Sequence, residues 1–228
     1  MTSFSENTSK NYYIGGSDAN LLMAGKLAQL YVRKKKLKLN KYKKSESTIP
    51  KQTSTVATKI GMCTEDINLD FLQSSIEQEI FRKITVDPDD KRPWMSSSLD
   101  GMTDETHTPC EAKHTNQFTT FEDVVTRCYP QLQHYLFHTQ KDSMYLSVFF
   151  GNNTFLYASI DADYQYQKIL LDAEEWFYIH LIENKLPTSA NSYIARINIK
   201  NKIKSIDIQN PFNSNFISNH NKKVVWLE

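Results

Sequence analysis

Two β-hairpin patterns set among helical patterns constrain the fold more than any other feature of the sequence. The first predicted hairpin pairs residues 94–99 with residues 109–113 across the polar stretch 101–108. The second pairs residues 145–150 with residues 154–160 across Gly151-Asn152-Asn153, which is a strong turn signal. Because helical patterns precede, separate and follow these hairpins, the sequence predicts a mixed α/β fold.

Four segments predict helices, because apolar residues recur in them at spacings of three and four. The first follows the turn Gly15-Gly16, with Ser17 or Asp18 as its N-cap. The third contains Pro130, which lacks a backbone N–H and requires the helix to begin or restart there. The other three predicted helices cover residues 66–84, 121–138 and 163–183.

The length and composition exclude several classes of protein. The 228 residues, 39% of them apolar, suffice for one compact domain, so a single domain over 1–228 is expected. No run of about 18 apolar residues occurs, which excludes a membrane-spanning helix. Residues 1–10 lack the apolar run of a secretory signal, so an intracellular location is expected, in the cytoplasm or, for a viral protein, in the host-cell cytoplasm. Cys63, Cys110 and Cys128 lie too far apart to form a zinc site by spacing.

The basic charge is concentrated in one part of the chain. Residues 26–44 contain eight lysines and Arg33, and no acidic residue. Such a segment either attracts a polyanion such as nucleic acid or forms a solvated surface. Residues 38–58 are rich in Lys, Ser and Thr, and we expect a mobile loop or an insertion there.

The first predicted hairpin carries two carboxylates and a lysine. Glu111 and Lys113 are two residues apart on a predicted strand and therefore share a face, and Asp100 ends the neighbouring strand. Carboxylates bind Mg²⁺ or Mn²⁺, the metal activates water, and an ammonium offsets developing charge, which suits phosphodiester hydrolysis. The Ala112 carbonyl is a further candidate ligand. An ordinary turn and a solvated Glu–Lys pair remain the alternative.

Together with three other blocks, this hairpin resembles the PD-(D/E)XK nucleases, and within them the YqaJ-like viral recombinases and the lambda-type exonuclease. The order of the blocks, which span roughly residues 10–183, carries the resemblance more than any one of them. They are Ile14-Gly15-Gly16-Ser17-Asp18-Ala19, a helix with Glu77, Asp100 with Glu111-Ala112-Lys113, and Tyr129-Pro130-Gln131-Leu132-Gln133-His134-Tyr135.

The resemblance implies a restriction-endonuclease-like core, a central mixed sheet flanked by helices, and roles for individual residues. Asp100, Glu111 and the Ala112 carbonyl become metal ligands, for Mg²⁺ with Mn²⁺ as a substitute, at a site with two metal ions. Lys113, Gln131 and Glu77 become catalytic residues. Residues implied to contact phosphate or DNA are Ser17, Lys10, which stands where the family often has an arginine, and Gln133.

The same resemblance implies the reaction: a 5′→3′ exonuclease that resects duplex DNA ends for recombination by single-strand annealing. It also implies double-stranded DNA ends as the substrate, a single-strand annealing protein as a partner, and assembly as a ring trimer. Two alternatives remain open. One is an endonuclease of the restriction or repair type on the same fold, and the other is a DNA-binding relic without activity.

Overall fold

The computed structural model describes residues 12–42, 55–187 and 203–212. Ten helices and strands follow one another in this described part of the chain. They are α1 (Gly16–Met23), α2 (Leu27–Tyr42), α3 (Val56–Ile76), β1 (Ile80–Val86), β2 (Ser97–Thr103), β3 (Pro109–Thr115), α4 (Phe121–Thr139), β4 (Ser143–Phe150), β5 (Thr154–Asp161) and α5 (Tyr164–Ile182).

The strands form one mixed sheet in the order β1-β2-β3-β4-β5. All neighbouring strands are antiparallel except β3 and β4, which run parallel because α4 carries the chain back across the sheet between them. This arrangement confirms the predicted α/β fold with a mixed sheet flanked by helices. It also places α4 directly against β3, the strand with Glu111 and Lys113.

Helices cover both faces of the sheet. The largest buried cluster packs α4 and α5 on one face, through residues such as Leu132, Leu136, Leu146 and Ile160. On the other face, α3 packs through residues that include Leu69 and Leu72. No described helix has both the length and the apolar composition needed to cross a bilayer.

The start of the described chain is tied to the strand that carries Asp100. The Ile14 amide donates to the Trp94 carbonyl at 2.6 Å, and the Ser96 amide donates to the Ile14 carbonyl at 3.1 Å. Helix α1 begins directly after this contact, with Gly15 as its N-cap. The expected cap was Ser17 or Asp18, but Asp18 occupies the third helical position and accepts from the Gly15 amide at 2.9 Å. The N-terminus of α1 is thereby held beside β2.

The predicted helix over 66–84 is wrong in its second half. Helix α3 ends at Ile76, and Glu77 follows it with a left-handed backbone (φ 56°). Residues 80–86 form the edge strand β1, in which Ile80 is buried and Phe81 is exposed. Ile80, Phe81 and Ile84 fit a helical spacing, but their side chains alternate across a strand.

Two further boundaries differ from the expectation. Strand β2 begins at Ser97 and continues to Thr103, so Gly101 lies inside a strand and not in a loop. A Cβ on Gly101 would lie 2.5 Å from the Ile80 side chain, so close packing explains this glycine. Of the segment 38–58 expected as a loop, residues 38–42 belong to α2 and residues 56–58 to α3. Residues 43–54 lie outside the described part.

The hairpin over residues 145–160 and the last two helices are confirmed within a few residues. Helix α4 starts with a capping box, in which the Thr120 hydroxyl accepts from the Asp123 amide at 3.1 Å. The helix runs through Pro130 without ending there. Pro130 has no N–H to donate to the carbonyl one turn earlier, but α4 continues past it and places Gln131 over the sheet.

Candidate active site

Asp100 and the Glu111-Ala112-Lys113 segment meet where β2 and β3 separate. The ladder between the two strands consists of the pairs Gly101↔Cys110 and Met102↔Pro109. Beyond it, the Ala112 amide donates to Asp100 Oδ2 at 2.9 Å. The N–H and C=O of one strand residue point to the same edge, so the Ala112 carbonyl lies on the Asp100 side as well.

Glu111 is the centre of a hydrogen-bond network and is only 2% exposed. Its Oε1 atom accepts from Lys113 Nζ in a short ion pair and from Gln131 Nε2 at 2.7 Å. Its Oε2 atom is buried and has no hydrogen-bond partner among the described residues. A buried carboxylate oxygen without a partner is costly, so this atom is suited to a cation.

Helix α4 and helix α1 fix the position of Gln131. Its Nε2 also contacts the Tyr135 hydroxyl at 3.0 Å, and its Oε1 accepts from Asn20 Nδ2 at 3.1 Å. The Tyr135 hydroxyl in turn donates to the Ser98 carbonyl at 2.8 Å. The Gln131 side chain therefore has a partner on each polar atom and holds Glu111 in one orientation.

Gly16 permits this contact between α1 and α4. A Cβ at Gly16 would lie 2.6 Å from the Tyr135 ring and 2.8 Å from Gln131 Cγ. No real Cβ tolerates such distances without a shift of its neighbours. The Gly15-Gly16 pair thus serves close packing against the site as well as the turn before α1.

The surroundings of Asp100 disfavour its charged form. Burial, and next the Glu111 carboxylate, raise the pKa of Asp100 to about 7. For Lys113, burial opposes the charge, but Glu111 and then Asp100 raise the pKa of its ammonium above the usual value. Lys113 therefore stays charged, and its side chain remains 31% exposed, so a substrate can reach it.

Ser17 lies at the exposed N-terminus of α1 together with a basic side chain. Its hydroxyl accepts from Arg33 Nη2 at 3.4 Å, and Arg33 Nη1 lies 3.5 Å from Asp18 Oδ1. Asp18 also forms a short ion pair with the buried Lys34. The free N–H groups of a helix N-terminus beside a guanidinium suit a phosphate group.

The structure does not bring every predicted residue to this site. Glu77 is exposed and lies directly after the last residue of α3. Gln133 is fully buried on another face of α4, where it donates to the Asp161 carbonyl at 2.9 Å and accepts from the Asp163 amide at 2.8 Å. It ties α4 to the start of α5 and is not available to DNA. Lys10 lies outside the described residues.

Glu65 of α3 was missed by the sequence analysis and stands closer to the site than Glu77. It lies one helical turn before the buried Leu69, on the side of α3 that packs against the sheet. Burial, and next the neighbouring Asp100, raise the pKa of the Glu65 carboxyl. The helical spacing of Glu65 with Asn68, Leu69 and Leu72 was the available signal. Asn20 was likewise missed, and Arg33 and Tyr135 were named from the sequence without a role at the site.

The donor set fits a hard divalent cation that keeps water ligands. Within the described ranges, no three His, Cys, Asp or Glu side chains are grouped as an all-protein cage. Two carboxylates, one with an unpartnered buried oxygen, and a backbone carbonyl stand together instead. Mg²⁺ is usually bound by one or two carboxylates with the remaining positions left to water and phosphate.

Comparisons with solved structures agree with this architecture. The alkaline exonuclease LHK-Exo from Laribacter hongkongensis, crystallised with dAMP, is 15% identical and matches with a TM-score of 0.61 over 79% of this chain and 95% of its own. A phage-related exonuclease from Haemophilus somnus 129PT is 10% identical, with a TM-score of 0.54 over 76% of this chain and 96% of its own.

The sequence itself matches no family model and no curated protein. At 10–15% identity a structural likeness establishes the fold alone. This chain therefore has the α/β fold found in these exonuclease structures.

Proposed function

We propose that this protein is a metal-dependent deoxyribonuclease. The observation that carries the proposal is the meeting of Asp100, Glu111 and Lys113 at one point of the sheet, with the buried Glu111 Oε2 atom left without a partner. A solvated Glu–Lys pair, the alternative from sequence, does not account for a carboxylate that is 2% exposed. The likeness of the fold to exonuclease structures supports the same conclusion.

Asp100, Glu111 and the Ala112 carbonyl would hold Mg²⁺, and Mn²⁺ would substitute for it. When bound, the cation polarises the phosphoryl group and lowers the pKa of a bound water. Glu65 stands on the α3 side of Asp100 and would support the water ligands of a second ion. Neutralising the crowded carboxylates is the electrostatic reason for the cation to bind.

The residues of this chain do the positioning. Lys113 places a permanent positive charge beside the carboxylates, where it offsets charge on the scissile phosphate or orients the attacking water. Gln131 holds Glu111 Oε1, which leaves Oε2 for the cation. Tyr135 and Asn20 fix Gln131, so a change at either residue disturbs the site without touching DNA.

For the substrate, we propose double-stranded DNA ends degraded in the 5′→3′ direction, as in resection for single-strand annealing. Ser17, Arg33 and the N-terminus of α1 form a candidate site for a terminal 5′-phosphate. The basic residues of 26–44 would add salt-sensitive, sequence-independent binding. Cooperation with an annealing protein and assembly as a ring trimer belong to this proposal.

The test is cleavage of linear duplex DNA with 5′-phosphates, in Mg²⁺ and in EDTA. We expect cleavage only in Mg²⁺, and its loss in Lys113→Ala. Lys168→Ala, which removes an exposed lysine of α5 instead, serves as the matched control. Cleavage that persists in EDTA, or equal activity of Lys113→Ala and the control, contradicts the proposal.

A covalently closed plasmid separates the two nuclease alternatives. An exonuclease needs an end and leaves the plasmid intact, whereas an endonuclease of the restriction or repair type opens it. Linear DNA labelled at the 5′ or the 3′ end then gives the direction. DNA binding without cleavage in Mg²⁺ or Mn²⁺ corresponds to the inactive relic.

A further inference from the structure

Lys83 has a left-handed backbone in the middle of strand β1. Its φ is 56°, a conformation that residues other than Gly, Asn and Asp rarely adopt, and that costs free energy. The register of the β1–β2 ladder on either side places it across from Asp100, and the ladder is interrupted at this position. The flanking pairs that define this register are Arg82↔Gly101 and Ile84↔Leu99.

The ammonium of Lys83 has no direct partner among the described residues. Within the described residues its ammonium makes no hydrogen bond and no ion pair, and the side chain is exposed. Other cations nearby are engaged: Lys113 by Glu111, and Arg82 by Asp70 at 2.6 Å. The charge of Lys83 is nevertheless close enough to Glu65 to lower the pKa of that carboxyl, against the effects that raise it. It thus lies at the carboxylate cluster.

Protection of the sheet edge does not explain this conformation. Strand β1 is an edge strand, and exposed lysines there discourage pairing with other chains. A lysine with an ordinary extended backbone would give the same protection without strain. Backbone strain of this kind is typical of functional sites.

We propose that Lys83 is a DNA-contacting residue, whose ammonium binds a backbone phosphate next to the scissile phosphodiester. This inference rests on the proposed nuclease function. The carboxylates of Asp100, Glu111 and Glu65 repel a DNA phosphate, and a cation opposite Asp100 offsets that repulsion as the strand enters. The left-handed backbone sets the direction in which the Lys83 side chain leaves the strand.

The test measures DNA binding as a function of salt. Lys83→Asn and Lys83→Gly remove the charge and accept the left-handed backbone, whereas Lys83→Arg keeps the charge. Binding of linear duplex DNA is measured in Ca²⁺ between about 50 and 200 mM salt. Loss of one phosphate contact makes the slope of log Kobs against log salt shallower by about one. We expect this change and a roughly tenfold weaker affinity in Lys83→Asn and Lys83→Gly, and near wild-type values in Lys83→Arg.

Gln140→Gly is the matched control, because Gln140 has a left-handed backbone (φ 55°) at the end of α4. It should leave the salt slope unchanged, and Lys83→Gly should not lower the melting temperature. A wild-type slope in Lys83→Asn, or weaker binding without a change of slope, overturns the role of Lys83 while cleavage by the wild type sustains the nuclease proposal. A wild type that neither binds nor cleaves DNA overturns both.

Discussion

Replacement of Asp100 by Asn should stabilise the metal-free protein at neutral and alkaline pH. The folded protein raises the pKa of Asp100 from 3.8 to about 7, because the carboxyl is buried and stands beside Glu111. A difference of about 3 pKa units corresponds to about 4 kcal/mol, which is the upper limit of the penalty for ionised Asp100 in the folded state. Asn is neutral at every pH, and its carbonyl oxygen can still accept from the Ala112 amide.

The stabilisation by Asp100→Asn should depend on pH. Between about pH 4 and pH 7 the folded protein binds a proton at Asp100 that the unfolded chain does not bind, so the wild type loses stability as the pH rises. Above pH 7 the penalty is fully present, and near pH 4 it is absent. The gain in unfolding free energy of Asp100→Asn over the wild type should therefore grow from near zero at pH 4 towards about 4 kcal/mol at pH 8.

Urea unfolding of both proteins in EDTA, at matched pH values from 4 to 8, measures this difference. Asp172→Asn is the control, because it removes an exposed carboxylate from α5 and should show no such growth. If Asp100→Asn is no more stable than the wild type at pH 8, or if its gain is the same at pH 4, then burial and the Glu111 carboxylate do not disfavour ionised Asp100 as the structure indicates.

Three further predictions concern the same site. Gly16→Ala places a methyl group 2.6 Å from a buried tyrosine ring, so it should lower the free energy of unfolding in urea by about 1–3 kcal/mol and reduce cleavage. Gly61→Ala, where no atom lies within 4 Å of the new methyl group, should not destabilise the protein. Glu65→Gln should slow cleavage about tenfold, which corresponds to a loss of ~1.4 kcal/mol of transition-state stabilisation. Glu77→Gly should leave the cleavage rate unchanged and raise the stability of the protein, because Glu77 has a left-handed backbone. If Glu77→Gly slows cleavage and Glu65→Gln does not, the catalytic role predicted for Glu77 is supported instead. Mg²⁺ should raise the melting temperature of the wild type more than that of Asp100→Asn, and equal shifts in a thermal scan would place the cation elsewhere.

The fold and the centre of the site were accessible from the sequence because both depend on short-range patterns. The turn at Gly151-Asn152-Asn153 fixes a hairpin locally, and the two-residue spacing of Glu111 and Lys113 fixes their common face once the strand is recognised. The resemblance implied the role of Gln131, and the helical spacing put Gln131 on one face with Tyr135, four residues later. None of these inferences needs a contact between distant elements.

The errors occurred where distant contacts or chain ends decide the structure. The spacing of Ile80, Phe81 and Ile84 fits a helix and a strand alike, and only pairing with β2 selects the strand. That choice ends α3 before Glu77 and leaves Glu65 as the helical carboxylate next to Asp100. Gln133 was misplaced for a related reason, because its partners at the start of α5 are far along the chain.

Several unfavourable features of the described structure lie around Asp100, on β1, β2 and β3. Asp100 is forced towards its neutral form, Glu111 Oε2 is buried without a partner, and Lys83 keeps a strained backbone opposite them. The Gln131 side chain beside them has a partner on each polar atom. A protein under selection for stability alone would replace such groups, since apolar residues of similar size stabilise a core better. A divalent cation and a phosphate would relieve these costs together, because the cation neutralises the carboxylates and the phosphate pairs with the lysine.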